Sequence, residues 1–435
     1  MSIAIVVAAL VLLILQIGWL KLHPFIAFLV TALLAGWWLG IPLPELPGLV
    51  KKGVGSMLGD VVVVVVTGAM LGKLIAETGA AATIADTLTG WFGTGRVQWA
   101  LMVTGFIVGI PLFYNVGFVL LVPLAFAIIY RTGLPPVYAA LPMLAALSVT
   151  HGFLPPHPSP MAIGAQLNAN TGSVLLYGIL LSIPAILVAG PLFASTLRKY
   201  KTAPLALFQP RVIPAGERPG IMTSFTVALL PAVLLVIFAL LQSFGKGQSP
   251  FLAFISDPSV VMLGCLLFAT VLLGAVSRSS ASTLLQYYGD AIKDISVILL
   301  IIAGAGALKQ VFADSGVSTS IGHLFQSANM HPLVLGWLMA AVIRVCVGSA
   351  TVAGLTAAGI IAPMSGTLSF NPNLMVLSIG AGSLFLSHVN DSGFWMFKEY
   401  FNLSVKETLR TWTVMECIVS VVGLAGVLLL NAFIS

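Results

Sequence analysis

From Ser148 to Pro160 the chain reads Ser-Val-Thr-His-Gly-Phe-Leu-Pro-Pro-His-Pro-Ser-Pro, in the middle of a long apolar region. Pro155, Pro156, Pro158 and Pro160 forbid a continuous helix there, because proline lacks the backbone donor and its ring clashes with the preceding turn. A helix entering this stretch must stop near Gly152. Hydrocarbon cannot satisfy the freed peptide groups, so unwound chain at membrane depth is either buried in protein or lines a wet cavity. Thr150, His151 and His157 then offer polar side chains where bare peptide groups also turn inward. A second stretch, Phe385-Leu-Ser-His-Val-Asn-Asp-Ser-Gly393, answers the first: Ser387-His388 stands where Thr150-His151 stands, 237 residues on. Broken polar segments at corresponding positions of two halves are the best sequence pointer to a transporter's central site.

The membrane premise comes from composition. Hydrophobic residues make up 59% of the 435 residues and charged ones 7%, with a mean hydropathy of +1.09. An ordinary soluble chain is about one quarter charged, and several apolar runs here reach the ~20 residues that span a bilayer. The chain therefore reads as an all-α polytopic membrane protein with the lipid bilayer as its solvent. Cys265, Cys346 and Cys417 lie far apart inside apolar segments, which argues against a disulfide framework and a zinc site. The net charge of +6 comes from basic residues flanking apolar segments, so it reads as topology and not as nucleic-acid binding. The run from Ile3 to Leu20 lacks a basic leader and a cleavage site and reads as a retained first helix.

Apolar helices are expected at about 2–20, 24–40 and 58–76, a long stretch at 97–130, a broken one at 136–165 and a helix at 173–195. The polar stretch 197–220 is the only sizeable linker. Helices follow at 221–244, 258–277 and 293–312, then a long stretch at 333–368, a second broken segment at 373–397 and a last helix at 411–433. The order repeats. His23-Pro24 matches Asp257-Pro258 and Asp60 matches Asp294, both 234 apart; Pro135 matches Pro372 and His151 matches His388, both 237 apart. We read 1–196 as the first repeat, 197–220 as a cytoplasmic linker and 221–435 as the second repeat.

As one straight helix the stretch 97–130 would be about 51 Å long, too much for a hydrocarbon core of about 30 Å. Pro111 and Gly117, bracketing Tyr114-Asn115, mark a turn at its middle, so a re-entrant hairpin is expected. Each half then has about five further transmembrane helices, one of them broken. An odd number of crossings inverts the second half. With this parity Lys21, Arg96, Arg131, Arg198, Lys199, Lys201, Arg211, Arg218, Arg278, Lys293, Lys398, Lys406 and Arg410 fall on one side, and only Lys51, Lys52 and Lys246 on the other. The positive-inside rule makes the rich side cytoplasmic and puts both termini outside.

Pseudo-symmetry brings two hairpin tips and two helix breaks together. The first tip is Gly109-Ile-Pro-Leu-Phe-Tyr-Asn-Val-Gly117 and its partner Val347-Gly-Ser-Ala-Thr-Val-Ala353. Tips expose helix N-termini, whose free N–H groups favour an anion, and Asn115, Ser349 and Thr351 add neutral donors. The plainer alternative is that these small residues let helices pack closely. His151 and His388 suit reversible protonation; the alternative is ordinary packing, and for His157 a structural plug. Asp391 is either an acid on a proton path, as intramembrane acids commonly are, or the cap of a half-helix starting at Ser392. Arg344 either pairs an anionic substrate or anchors the second hairpin. Glu416, near the start of the last helix, is expected at the interface. An intramembrane enzyme is the rival class, yet the chain has no HExxH, no GxSxG and no phosphate loop. We expect no enzyme, no metal and no cofactor.

These residues also carry a family likeness. Gly109-Ile-Pro-Leu-Phe-Tyr-Asn-Val-Gly-Phe118, Ala146-Leu-Ser-Val-Thr-His-Gly-Phe-Leu-Pro-Pro-His-Pro158, Gly348-Ser-Ala-Thr351 and His388-Val-Asn-Asp-Ser-Gly-Phe-Trp395 with Lys398-Glu-Tyr-Phe401 resemble the gluconate:proton symporter (gluconate permease) family over nearly the whole chain. The resemblance implies a bacterial inner-membrane symporter for gluconate or a related sugar acid, driven by protons. It also implies the inverted-repeat plan of the ion-transporter superfamily and is compatible with a homodimer. Asn115 departs from the pattern, which leads us to expect an acid after the aromatic pair. That moves the proton role to Asp391, His151 and His388. The expected substrate site comprises Tyr114, Asn115, Gly117, Thr150, His151, Ser349, Thr351, His388 and Asn390. The alternative within transport is a sodium-coupled di- or tricarboxylate carrier on the same plan.

Overall fold

The structure, a computed structural model, describes residues 2–434 except 94, 111–113, 156, 210, 212, 245–248, 318–329 and 363–369. Among the described residues every regular element is a helix. The first half comprises α1 (Ser2–Gly18), α2 (Pro24–Trp38), α3 (Leu46–Glu77), α4 (Ala80–Phe92), α5 (Val97–Gly109), α6 (Tyr114–Thr132), α7 (Pro136–Phe153), α8 (Pro158–Gln166) and α9 (Thr171–Ser195). The second comprises α10 (Ile221–Phe244), α11 (Pro250–Ile255), α12 (Pro258–Ser277), α13 (Ala281–Asp314), α14 (Pro332–Val347), α15 (Ala350–Ile361), α16 (Pro372–Leu384), α17 (Ser392–Tyr400) and α18 (Val405–Ile434).

Of the described helices, α6, α7, α9, α12, α13 and α18 are each long and apolar enough to cross a membrane, as is α3 if its two segments, bent by 40° near Asp60, count as one span. Large apolar side chains such as Leu176, Leu180, Ile183, Leu267 and Val271 stay exposed on the outer helices, as lipid-facing surface must. By contrast α7 is buried almost throughout; a helix apolar on all sides belongs at the centre.

Breaks fall where the sequence led us to expect them. The 97–130 stretch divides into α5 and α6, although residues 111–113 at the first tip lie outside the described residues. The second tip is described. Gly348 takes a left-handed φ of 76°, and Ser349 caps α15 by accepting from the Val352 N–H. Only glycine fits at 348: a Cβ there would lie 2.2 Å from the Asn390 carbonyl oxygen. α7 gives way to α8 around Pro155, and α16 to α17 around Ser387–Asn390. The two broken helices, α7 and α16, cross backbone to backbone, since a Cβ on Gly380 would lie 2.2 Å from the Gly152 carbonyl oxygen.

Three features differ from the sequence expectation. The helices expected at 58–76 and 293–312 each start twelve residues earlier, as α3 and α13. Their leading turns carry Lys51, Lys52 and Asp290, which dilute the apolar signal without stopping a helix. α4 was not expected at all, for the same reason: it is amphipathic, burying Ala80, Ala81, Ile84 and Ala85 on one face. The stretch 197–220, read as a linker, is stitched to the bundle. Leu205 N donates to the Tyr400 carbonyl (2.8 Å), Arg211 N to that of Ala76 (3.1 Å), and the Tyr130 hydroxyl to that of Pro204 (2.9 Å). Phe208 stacks on Tyr400 and meets Phe126 edge-on. Arg218 and Arg131 both pair with Asp86 of α4. The strap thus gathers the C-terminal ends of α3, α6 and α17 on one side of the bundle.

Candidate functional site

One cavity of about 600 Å³ lies where these breaks converge. Its wall takes Tyr114, Asn115 and Val116 from the start of α6, Ser349, Ala350, Thr351 and Val352 from the start of α15, and Asn390 to Gly393 from the start of α17. The starts of three described helices therefore meet at one space, and a helix start carries a positive dipole end. Ser148 and His151 of α7, Asp257 and Ser259 at the start of α12, Lys309 of α13, Arg344 of α14, and Trp412 and Glu416 of α18 complete the polar part of the wall.

Arg344 is its electrostatic centre. It sits in the last turn of α14, 4% exposed, and its Nη2 donates to Asp391 Oδ2. Asp391 Oδ2 also accepts from Ser387 Oγ (2.5 Å), and Oδ1 caps α17 by accepting from Gly393 N (3.0 Å). Ser387 Oγ in turn accepts from Trp412 Nε1 (2.8 Å). Asp391 thus does cap the half-helix, and the same carboxylate holds the arginine. Arg344 Nε and Nη1 remain buried with no hydrogen-bond partner among the described residues. Leaving such donors unmet is costly, and each one calls for an explanation.

Other wall residues show the same shortfall. The Tyr114 hydroxyl, Asn390 Oδ1 and Glu416 Oε2 are buried without partners among the described residues. Asn390 is held in place through its amide nitrogen, which donates to the Val345 carbonyl (2.8 Å). The site therefore offers unmet donors on Arg344 and Tyr114 beside unmet acceptors on Asn390 and Glu416. A molecule carrying both an anion and hydroxyls would satisfy them.

His151 and His157 form a pair across the α7–α8 break, with Nδ1 of the first 2.9 Å from Nε2 of the second. His157, fully buried, caps α8 by accepting from Ser159 N at its Nδ1; a neutral ring in that tautomer donates its Nε2 proton to His151 Nδ1. The break turns the chain back on itself, which is why residues six apart in sequence face each other.

Of the expected site residues, Tyr114, Asn115, His151, Ser349, Thr351, Asn390 and Asp391 line the cavity. Gly117, Thr150 and His388 stand in the surrounding packing instead. Gly117 lies against Leu147, Thr150 Oγ1 donates to the Leu147 carbonyl (2.9 Å), and His388 Nε2 lies 3.0 Å from the Val345 carbonyl, tying the second break to α14. Glu416 is the correction. Expected at the interface, it is 2% exposed, lines the cavity and accepts from Ser148 Oγ at 2.7 Å. The rule that singled out Asp391, an acid inside an apolar run, applied equally to Glu416. Position near a helix start was the wrong reason to discount it.

Comparison with known proteins gives the family. The model of the "GntP family permease" family matches residues 1–433. The chain is 46% identical over 425 residues to the Gnt-II system L-idonate transporter of Escherichia coli K12, covering 97% of each chain. It is 44% identical over 438 residues to that organism's high-affinity gluconate transporter, covering 100% of each. It is 42% identical over 445 residues to the gluconate permease of Bacillus subtilis 168, covering 99% of each. Among solved structures, the YdaH transporter of Alcanivorax borkumensis aligns over 95% of this chain and 98% of its own, with 17% identity and a TM-score of 0.44, too loose a match to transfer detail. These relatives are named as transporters and permeases, not as enzymes. Matched along nearly its whole length, this multi-pass membrane protein belongs to the GntP family of permeases.

Proposed function

We propose that the protein takes up gluconate or a closely related sugar acid into the cytoplasm, coupled to protons moving down their gradient. The observation that carries this reading is Arg344: a buried guanidinium in the cavity wall, half committed to Asp391, with Nε and Nη1 unmet. Guanidinium binds carboxylate with two parallel donors, and the N-termini of α6 and α15 add to its positive field. The sugar-acid carboxylate would seat on Arg344 and the tip amides, with Asn115, Ser349 and Thr351 as neutral donors. Its hydroxyls would reach Tyr114, His151 and Asn390. The relatives' names, gluconate for two and L-idonate for one, support an epimer-tolerant polyhydroxy monocarboxylate.

The same reading holds the halves to be inverted repeats with re-entrant hairpins at 97–130 and 333–368. At 13, 16 and 12 residues, α5, α14 and α15 fall short of a full span. It places both termini outside, the 197–220 strap in the cytoplasm and the protein in a bacterial inner membrane, and it accommodates a homodimer. A single arginine already engaged by Asp391, with Lys309, offers little for a di- or tricarboxylate.

The test is uptake of labelled gluconate and L-idonate into proteoliposomes under an imposed pH gradient, with and without sodium. Sodium-independent uptake abolished by a protonophore supports the reading. Uptake that requires sodium, or competition only by di- and tricarboxylates, overturns it.

A further inference from the structure

Glu416 is the one carboxyl of the cavity wall that neither bonds a cation nor caps a helix among the described residues. Its Oε1 accepts from Ser148 Oγ at 2.7 Å, while its Oε2 is buried without a partner among those residues. The neighbouring Asp391 differs on each point: it holds Arg344, accepts from Ser387 and caps α17. Of the elements packed against α18, α16 brings no titratable side chain, α9 brings Tyr177, α7 brings Tyr138 and His151, α14 brings Cys346 and Arg344, whose Nη2 is held by Asp391, and α17 brings Tyr400 and the paired Lys398 and Glu399. The rest of the wall holds Asp391, Tyr114, Lys309 and Asp257, the last capping α12. A buried carboxyl to which no cation is bonded is stabilised most cheaply by a proton, since an isolated buried carboxylate is far costlier than the neutral acid.

We propose that Glu416, and not Asp391, carries the coupled proton. The proposal rests on the reading of the protein as a proton-coupled sugar-acid transporter and names the group that does the coupling. Glu416 and the seat on Arg344 belong to one cavity wall, so an anionic cargo and a charged Glu416 would repel at close range. The cargo therefore binds when Glu416 is the neutral acid. On the cytoplasmic side the Oε2–H bond breaks, the proton passes to water entering the cavity, and the carboxylate left behind expels the cargo. On return the carboxylate takes a proton from external water. Binding and protonation are then linked by free energy and not by position alone, as differential affinity requires.

Two measurements on the purified full-length protein test this. In infrared difference spectra of wild type against Glu416→Gln without substrate near neutral pH, a protonated-carboxyl band is present in wild type, absent in Glu416→Gln and retained in Asp391→Asn. In proteoliposomes Glu416→Gln loses gluconate accumulation driven by a pH gradient while counterflow stays measurable, and its gluconate affinity no longer weakens as pH rises. Ser148→Ala, which keeps the carboxyl, keeps coupled accumulation, so a general failure to fold is told apart from loss of the proton. A band unaffected by Glu416→Gln, or gradient-driven accumulation surviving in that variant, overturns the proposal. Wild-type protein that carries no sugar acid overturns the proposed function instead, and the infrared band then decides Glu416 alone.

Discussion

Arg344 and Asp391 join the last turn of α14 to the first turn of α17, the guanidinium Nη2 donating to the carboxylate Oδ2 in the wall of the cavity. Each belongs to a different break in the second half. The pair therefore fixes the tip at Gly348 relative to the break at Ser387–Asn390. Breaking a buried pair by removing one partner costs about 3–5 kcal/mol, whereas replacing both with apolar groups of similar volume is often neutral. Arg344→Ala and Asp391→Ala are each expected to lower the thermal midpoint in detergent substantially, and the double variant Arg344→Met with Asp391→Leu to recover most of it. The double variant should still carry no gluconate. Equal loss of stability in all three would detach the charge pair from the fold.

Tyr114 makes the opposite kind of prediction. Its hydroxyl is buried without a partner among the described residues, while its ring packs against Trp412 at 5.3 Å between centroids. Tyr114→Phe keeps the ring and removes only the unmet group, so stability should hold or rise slightly. If the hydroxyl serves the cargo, substrate affinity falls by about tenfold, the worth of one hydrogen bond of about 1.4 kcal/mol. Thermal scans and gluconate binding on the same preparation separate the two effects.

At the second tip, Gly348→Ala meets both the Asn390 carbonyl and a left-handed φ of 76°. Overpacking of this kind costs about 1–3 kcal/mol, and the relief available is to push Asn390 away from the cavity. Gluconate transport should fall by more than tenfold with only a moderate loss of thermal stability. Unchanged transport would mean that the tip geometry is not part of the site.

Phe208 is the test of the strap. It is 2% exposed and packs between Phe126 and Tyr400, away from the cavity wall. Phe208→Ala should cost about 3–5 kcal/mol and leave the KM for gluconate within twofold. A KM change of tenfold would show that the strap reaches the site through α17.

Much of the site could be read before any coordinates. Prolines and the repeat of polar breaks between the halves are written plainly in sequence, so the breaks near Pro155, Gly348 and Ser387 were expected, and Asn115, His151, Ser349, Thr351, Asn390 and Asp391 with them. Partners were harder. Nothing in the spacing of Arg344 and Asp391, or of Ser148 and Glu416, says that they bond, because these contacts join helices whose crossing is set by packing. Gly117, Thr150 and His388 share the polar neighbourhood in sequence, yet each spends its contacts on helix packing. α4 and the leading turns of α3 and α13 escaped because amphipathic helices lie below the hydropathy of a span.

At the crossing of α7 and α16 the Gly152 carbonyl lies directly against Gly380, and Leu384 of α16 closes over Gly152. Separating the two helices would expose peptide groups that lipid cannot hydrate, and sliding them would drive each glycine's neighbours into the other helix. The crossing thus behaves as a pivot pin. His151 sits one residue from that pin and the second break a few residues beyond it, so a force on either broken helix is carried to the other as through one lever.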